Sequence, residues 1–160
     1  MKFYTDGSRI NGKEGFIIGW SAVCELGVLA SSSQIGGSNI NAEIFAIRDL
    51  LKYLTNKRVK ILDNETEVEI VTDSLTSIQI INGYLKDPLS FDLSESINYV
   101  TADKISDYIK ELNERNIEVK FKHVRGHGKD SSMEKEDIWG NLFADYVATY
   151  ESQKLRDSLS

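Results

Sequence analysis

Lys2-Phe3-Tyr4-Thr5-Asp6-Gly7-Ser8-Arg9-Ile10 decides how this chain is read. Apolar and polar residues alternate through it, the period of a strand with one buried face. A carboxylate inside such a strand is unfavourable unless something compensates it. Asp6-Gly7 also has a plain reading as a turn pair, so the rest of the chain has to arbitrate.

Working outward, Asn11-Gly12-Lys13 reads as a turn and residues 15–26 as a second strand. Gly27 turns the chain into a third strand over 28–36, which makes an antiparallel meander. Gly36-Gly37-Ser38-Asn39 breaks the pattern. A helix is expected from Asn41 to Lys57, where Ala42, Ala46, Leu50, Leu51 and Leu54 recur at helical spacing, widened by Phe45 and Ile47. Residues 67–72 form a fourth strand, and a short helix runs from Ser74 to Ile81. Residues 84–96 are irregular and hold Pro88, the one proline. A longer helix covers Ile97 to Asn113, with Val100, Ile105, Tyr108, Ile109 and Leu112 turned inward. Residues 117–124 alternate as a fifth strand, and Arg125 to Glu136 is a polar loop. A last helix spans Asp137 to Tyr150, with Ile138, Leu142, Phe143, Tyr146 and Val147 on its buried side. Residues 151–160 are expected to be a charged, frayed tail to a single domain covering 1–150. Three antiparallel strands followed by helix–strand alternation indicate an α/β domain, a mixed sheet covered by helices.

Composition agrees with one soluble domain: 160 residues, 41% hydrophobic and 28% charged. No apolar run is long enough to span a bilayer, and the amino terminus lacks the apolar core of a signal peptide. A monomer without membrane contact is expected. The single Cys24 excludes an internal disulfide and fits a reducing, cytoplasmic setting; within its apolar strand it reads as an inert core residue. A net charge of −6, from 19 basic and 25 acidic residues, argues against a strong non-specific nucleic-acid binder. Four of those negative charges are candidate metal ligands, which leaves about −2 for the rest. The acidity therefore predicts weak, metal-dependent and salt-sensitive binding.

The four acids are Asp6, Glu43, Asp73 and Asp145. Each has an ordinary explanation. Glu43 suits the positive end of its helix, Asp73 suits an N-cap, and Asp145 reads as a solvated helix acid beside a buried Tyr146. Jointly they say more. In an α/β sheet, adjacent parallel strands deliver their terminal residues to one edge. Four carboxylates converging there resist ionisation unless cations sit among them, and Mg²⁺ and Mn²⁺ prefer such all-oxygen ligands.

The settings of these acids resemble the type 1 ribonuclease H family across nearly the whole chain. The motifs are Tyr4-Thr5-Asp6-Gly7-Ser8, Ser38-Asn39-Ile40-Asn41-Ala42-Glu43, Thr72-Asp73-Ser74, His123-Val124-Arg125-Gly126-His127, and Gly140-Asn141-Leu142-Phe143-Ala144-Asp145. Five motifs in the right order are specific, where a lone Thr-Asp-Gly would be weak. The resemblance implies a ribonuclease H-like fold with a five-stranded mixed sheet of order 3-2-1-4-5, and hydrolysis of the RNA strand of RNA–DNA hybrids. It implies that Asp6, Glu43, Asp73 and Asp145 bind two divalent ions, Mg²⁺ with Mn²⁺ as a substitute. One ion would activate water and the other stabilise the leaving 3′ oxygen, giving 5′-phosphate and 3′-hydroxyl ends. His127 matches a loop histidine that assists proton transfer or product release; its plain reading is an exposed loop histidine. Asn39, the Gly7-Ser8 backbone and Asn11 would read the minor groove, where the 2′-hydroxyl separates RNA from DNA. Asn39 can equally be a turn residue before a helix. His123 falls within the strand alternation and reads as structural.

Three departures qualify the resemblance. Many members carry a basic, Trp-rich protrusion where this chain has residues 84–96, which contain one lysine against Asp87, Asp92 and Glu95. Hybrid affinity is therefore expected to be weak unless a partner or tethering factor assists. The interval from His127 to Asp145 is longer than usual and adds Asp130, Glu134, Glu136 and Asp137. Residues 57–65 extend the stretch between Glu43 and Asp73 and read as a surface loop. Other nucleases on this fold fit less well: proofreading exonucleases want Asp-x-Glu in the first strand, and transposase-like members place their glutamate last. A non-catalytic nucleic-acid-binding module is the remaining alternative, and loss of any of the four acids would favour it; none is lost.

Overall fold

The computed structural model describes residues 1–90, 96–126 and 133–159. Strand β1 (Lys2–Gly12) pairs antiparallel with β2 (Gly15–Cys24), from Tyr4 opposite Val23 to Gly12 opposite Gly15. The hairpin turn is thus Lys13-Glu14, and Asn11 lies inside β1 opposite Phe16 rather than in the turn. Strand β3 (Gly27–Ile35) follows a turn at Glu25-Leu26; Gly15 and Gly27 each follow their turn at positive φ, 138° and 125°. A side chain at either would be strained.

Helix α1 (Asn39–Thr55) starts two residues before the apolar periodicity suggests. Ser38 caps it by accepting the Asn41 amide, and the Asn41 side chain accepts from the Ser38 amide, a closed capping box. Strand β4 (Glu67–Thr72) then runs parallel to β1, with Phe3 opposite Ile70, and β5 (Glu118–His123) parallel to β4, with Thr72 opposite His123. The sheet order is β3-β2-β1-β4-β5, the order expected. Between β4 and β5 lie α2 (Leu75–Lys86) and α3 (Ile97–Glu114). Helix α2 continues past the expected Ile81 because Tyr84 is buried against α3, donating its hydroxyl to Asp103.

Alternation splits the strands between two layers. Phe3, Cys24, Val68 and Ile70 face α1 and α3 and pack with Ile44, Ile47, Leu50, Leu51, Leu54, Ile105 and Leu112. Each such side chain stabilises the fold by ~1.5–3 kcal/mol relative to exposure. Leu62 joins this core, so the 57–65 insertion is anchored from beneath rather than merely superficial. Tyr4, Val23, Val71 and Val124 face the other way, toward helix α4 (Lys135–Ser158).

Helix α4 departs furthest from expectation. It extends well past Tyr150, so residues 151–158 are helical, with Ser152 fully buried. Its inner face is Asp137, Gly140, Asn141, Ala144, Val147, Ala148 and Ser152, while Leu142 and Tyr146 are exposed. Reading large apolar residues as inward fails here because the helix lies too close to the sheet for them. A Cβ at Gly19 would collide with the Ala148 carbonyl, and one at Gly140 with the Tyr4 ring. Ser21 Oγ donates to the Ala144 carbonyl at 2.6 Å. Val100, expected inward on α3, is likewise exposed, and Thr101 and Ala102 take the buried positions. No helix among the described residues is long and apolar enough to cross a membrane.

Candidate active site

Asp6 lies mid-way along β1, on the face that carries Tyr4 and Ser8. The next residue, Gly7, faces α1 so closely that a Cβ there would meet Ala42 and the Glu43 amide nitrogen at 2.6–2.7 Å. That contact is why a glycine is needed after Asp6: it lets the first turns of α1 descend onto the strand and brings Glu43 beside Asp6. Asp73 arrives from the end of β4, one residue past Thr72. The N-cap position, the plain alternative for Asp73, is taken by Ser74, whose Oγ accepts from the Ser77 amide at 3.2 Å.

Ligand oxygens of Asp6, Glu43 and Asp73 all lie within 4.8 Å of one another. Asp145 stands outside that span on α4, at the border of the inner face beside buried Ala144, yet its charge acts on both Asp6 and Glu43. Asp6 is 3% exposed and Glu43 8%. Both carboxyls are pushed well above the usual carboxylate range. Burial is the main cause for each; for Asp6 the charges of Glu43, Asp73 and Asp145 add to it, and for Glu43 those of Asp73 and Asp145. The Gly7 amide partly relieves Glu43 and donates to Asp6 Oδ1 at 2.9 Å.

Glu43 Oε2 is buried and has no hydrogen-bond partner. An orphaned carboxylate oxygen facing two further carboxylates is costly in an apo protein and suits a hard divalent cation that takes oxygen ligands. The donor set therefore fits such an ion, which Asp6, Glu43 and Asp73 could hold.

Two contacts around Asp73, one from Gly126 and one from His123, were not anticipated. A Cβ on Gly126 would come within 2.8 Å of Asp73 Oδ2, so the chain after β5 runs against that carboxylate. The His123 ring reaches back to the Asp73 carbonyl at 3.2 Å. The legible signal was the glycine directly after Arg125, at a point where no turn was otherwise required.

The remaining candidates separate. Asn39 is exposed in the first turn of α1, four residues before Glu43, and so on the same helical face. Ser8 Oγ pairs with Ser152 Oγ at 3.3 Å, which ties that side chain to α4. Asn11 lies five residues beyond Asp6, about 17 Å along β1. His127 lies outside the described residues. Of the acids added by the longer loop, Asp137 is accounted for elsewhere: 1% exposed, it accepts from Tyr4 Oη at 3.0 Å, Lys2 Nζ at 3.2 Å and Lys122 Nζ at 2.6 Å. Burial works against its ionisation, but these three donors hold its carboxyl below the usual range.

The sequence model of the RNase H family matches residues 1–153. No curated protein matches the chain. Among solved structures, the foamy viral protease-reverse transcriptase in complex with dsDNA is 23% identical, with a TM-score of 0.65 over 96% of this chain and 94% of that one. RNase H1 from the halophilic archaeon Halobacterium salinarum NRC-1 is 18% identical, TM-score 0.56, over 96% and 97%. LC11-RNase H1, solved in complex with an RNA/DNA hybrid, is 21% identical, TM-score 0.55, over 99% of both chains. At these identities the likeness is one of fold.

Proposed function

This chain belongs to the RNase H family, and we propose that it is a metal-dependent endoribonuclease cutting the RNA strand of RNA–DNA hybrids. The observation that carries the chemistry is the carboxylate cluster of buried Asp6 and Glu43 and half-buried Asp73, with Glu43 Oε2 left without a partner. Asp145 would complete the ligand set. Two bound Mg²⁺ or Mn²⁺ ions would supply Lewis-acid activation of water and stabilisation of the leaving 3′ oxygen, leaving 5′-phosphate and 3′-hydroxyl ends.

The chain's own residues supply placement. Asn39 and Glu43, one turn apart on α1, would set a 2′-hydroxyl reader directly above a metal-binding acid, so that recognition of RNA and the cut register together. The backbone at Gly7 and Ser8, and Asn11 further along β1, would line the same groove. His127 would assist proton transfer or product departure. Residues 84–96 carry one lysine, so phosphate contacts are few and the affinity for hybrid is weak and salt-sensitive. A tethering partner would offset that. We read the catalytic domain, expected to end at residue 150, as continuing through the packed end of α4, and as acting as a monomer in the cytoplasm.

The deciding experiment incubates the protein and Mg²⁺ or Mn²⁺ with matched RNA–DNA, double-stranded RNA and double-stranded DNA. Cleavage confined to the RNA of the hybrid is expected. Binding without cleavage would point to a non-catalytic module, and cleavage of either homoduplex to another nuclease.

A further inference from the structure

We propose that His123 is a positioning residue for Asp73, holding that acid in its metal-binding orientation from the backbone side. The proposal rests on the reading of Asp73 as a metal ligand.

Asp73 sits where β4 stops and α2 has not begun, between Thr72 of the strand and the cap Ser74. Neither the β-ladder nor the helix ladder fixes the orientation of its peptide. Two contacts outside the ladders do: the Ser74 amide donates to Thr72 Oγ1 at 3.1 Å, and a neighbour across the sheet holds the carbonyl. His123 is the last residue of β5, in register with Thr72, and pairing continues one step further through the Val124 amide, which donates to the Thr72 carbonyl at 3.0 Å. This places the His123 ring over the next peptide, where Nε2 donates to the Asp73 carbonyl at 3.2 Å. A carbonyl can only accept, so Nε2 carries the hydrogen whether the ring is neutral or charged. Three residues on, Gly126 lies against the Asp73 carboxylate.

Residues 123–126 thus hold Asp73 at both ends: a ring on its carbonyl, and a backbone without Cβ against its carboxylate. Rotation of the Asp73–Ser74 peptide would break the first contact and carry the carboxylate away from Asp6 and Glu43. Asp73 Oδ is one of three oxygens within a 4.8 Å span, and Mg²⁺ tolerates little spread in its ligand distances. Because His123 is exposed, its ring makes little contribution to the core, and its replacement should act on the site rather than on the fold.

The test compares the native chain with His123→Gln, whose side-chain amide nitrogen can stand where Nε2 does, and His123→Phe, which keeps a ring without a donor. Two quantities are read: the Mg²⁺ concentration giving half of the metal-induced rise in melting temperature, without substrate, and the Mg²⁺ midpoint of hybrid cleavage. His123→Phe is expected to raise both by roughly threefold to tenfold, the range of one lost hydrogen bond. His123→Gln is expected to stay within about twofold of the native chain. Equal midpoints in all three proteins, or losses of the same size in both variants, would overturn the proposal. If instead the native chain itself neither gained stability from Mg²⁺ nor cut the hybrid, the reading of the site would fail, a result distinct from either outcome above.

Discussion

Asp6 and Glu43, one on a strand and one on a helix, lean on the same backbone amide. Gly7 donates to Asp6 Oδ1 at 2.9 Å and also relieves Glu43. That amide and a side-chain hydrogen bond between the two carboxyls offset only part of the cost of burying them beside Asp73.

Both carboxyls are harder to ionise in the folded chain than in the unfolded one. Above the ordinary carboxylate range the folded state therefore holds more protons, and stability falls as pH rises. This deficit is absent below about pH 4 and grows toward and beyond neutrality. Asp6→Asn removes the cost of protonating this carboxyl on folding and keeps an oxygen for the Gly7 amide. In chelator, melting of Asp6→Asn at pH 8 is expected roughly 3–6 °C above the native chain, with the difference vanishing near pH 4. Excess Mg²⁺ should reverse the order.

The same substitution, and Asp73→Asn, should abolish hybrid cleavage with the fold intact. Loss of several kcal/mol of charge stabilisation corresponds to about 10³-fold or more in rate. Circular dichroism alongside a gel assay of labelled hybrid checks both halves; cleavage at the native rate by either variant would reject the site.

Asp137 should behave in the opposite way to Asp6. Its donors Lys122, Lys2 and Tyr4 favour its ionised form, so its contribution is present above the ordinary carboxylate range and lost as pH falls below it. Lys2 and Lys122 are partly exposed and can rehydrate, so Asp137→Ala is expected to cost about 2–3 kcal/mol rather than the full cost of a buried pair. Urea unfolding at pH 7 measures this. The Mg²⁺ midpoint of Asp137→Ala should match the native chain, since this acid is not among the cluster's ligands.

Gly140→Ala places a methyl group into the Tyr4 ring. Overpacking at such a contact costs about 1–3 kcal/mol. The Tyr4 hydroxyl also donates to Asp137, so the change should be less than additive with Asp137→Ala in a double-mutant cycle.

Cutting the chain after Tyr150 should destabilise it. Residues 151–158 continue α4, Ser152 is buried beneath β1 and β2, and Glu151 accepts from Ser31 of β3 at 3.1 Å. A frayed tail would be dispensable. A packed last turn predicts a fall in melting temperature of about 3 °C or more, read by calorimetry.

The order of elements, Cys24 in the core and the inward face of α1 were legible because period-2 and period-3.6 patterns report burial wherever large apolar residues do the packing; the sheet order was implied by the family resemblance alone. Helix α4 escaped that logic. Its packing surface is made of glycine, alanine, serine and one neutralised aspartate, which a hydrophobicity pattern scores as solvent-facing, while its outer Tyr146 scores as core. The three clustered acids were legible from order and setting, while local pattern left Asp73 open between a cap and a ligand because aspartate and serine both favour the N-cap position, which Ser74 takes. The link from His123 to Asp73 depends on strand register between distant segments, and local pattern carries no register across a sheet.

Gly19 and Gly140 are defined by side chains they do not have, and between them they set the height at which α4 rides over the sheet. Asp145 is carried on that helix. A carboxylate is thus calibrated by two spacers that never touch it, and one methyl group at either would lift it as surely as a change at residue 145 would remove it. Tolerance of substitution along α4 is accordingly expected to be one-sided. The outward positions of Trp139, Leu142, Tyr146 and Tyr150 can be rewritten without moving the acid, whereas the inward ones have no room to grow.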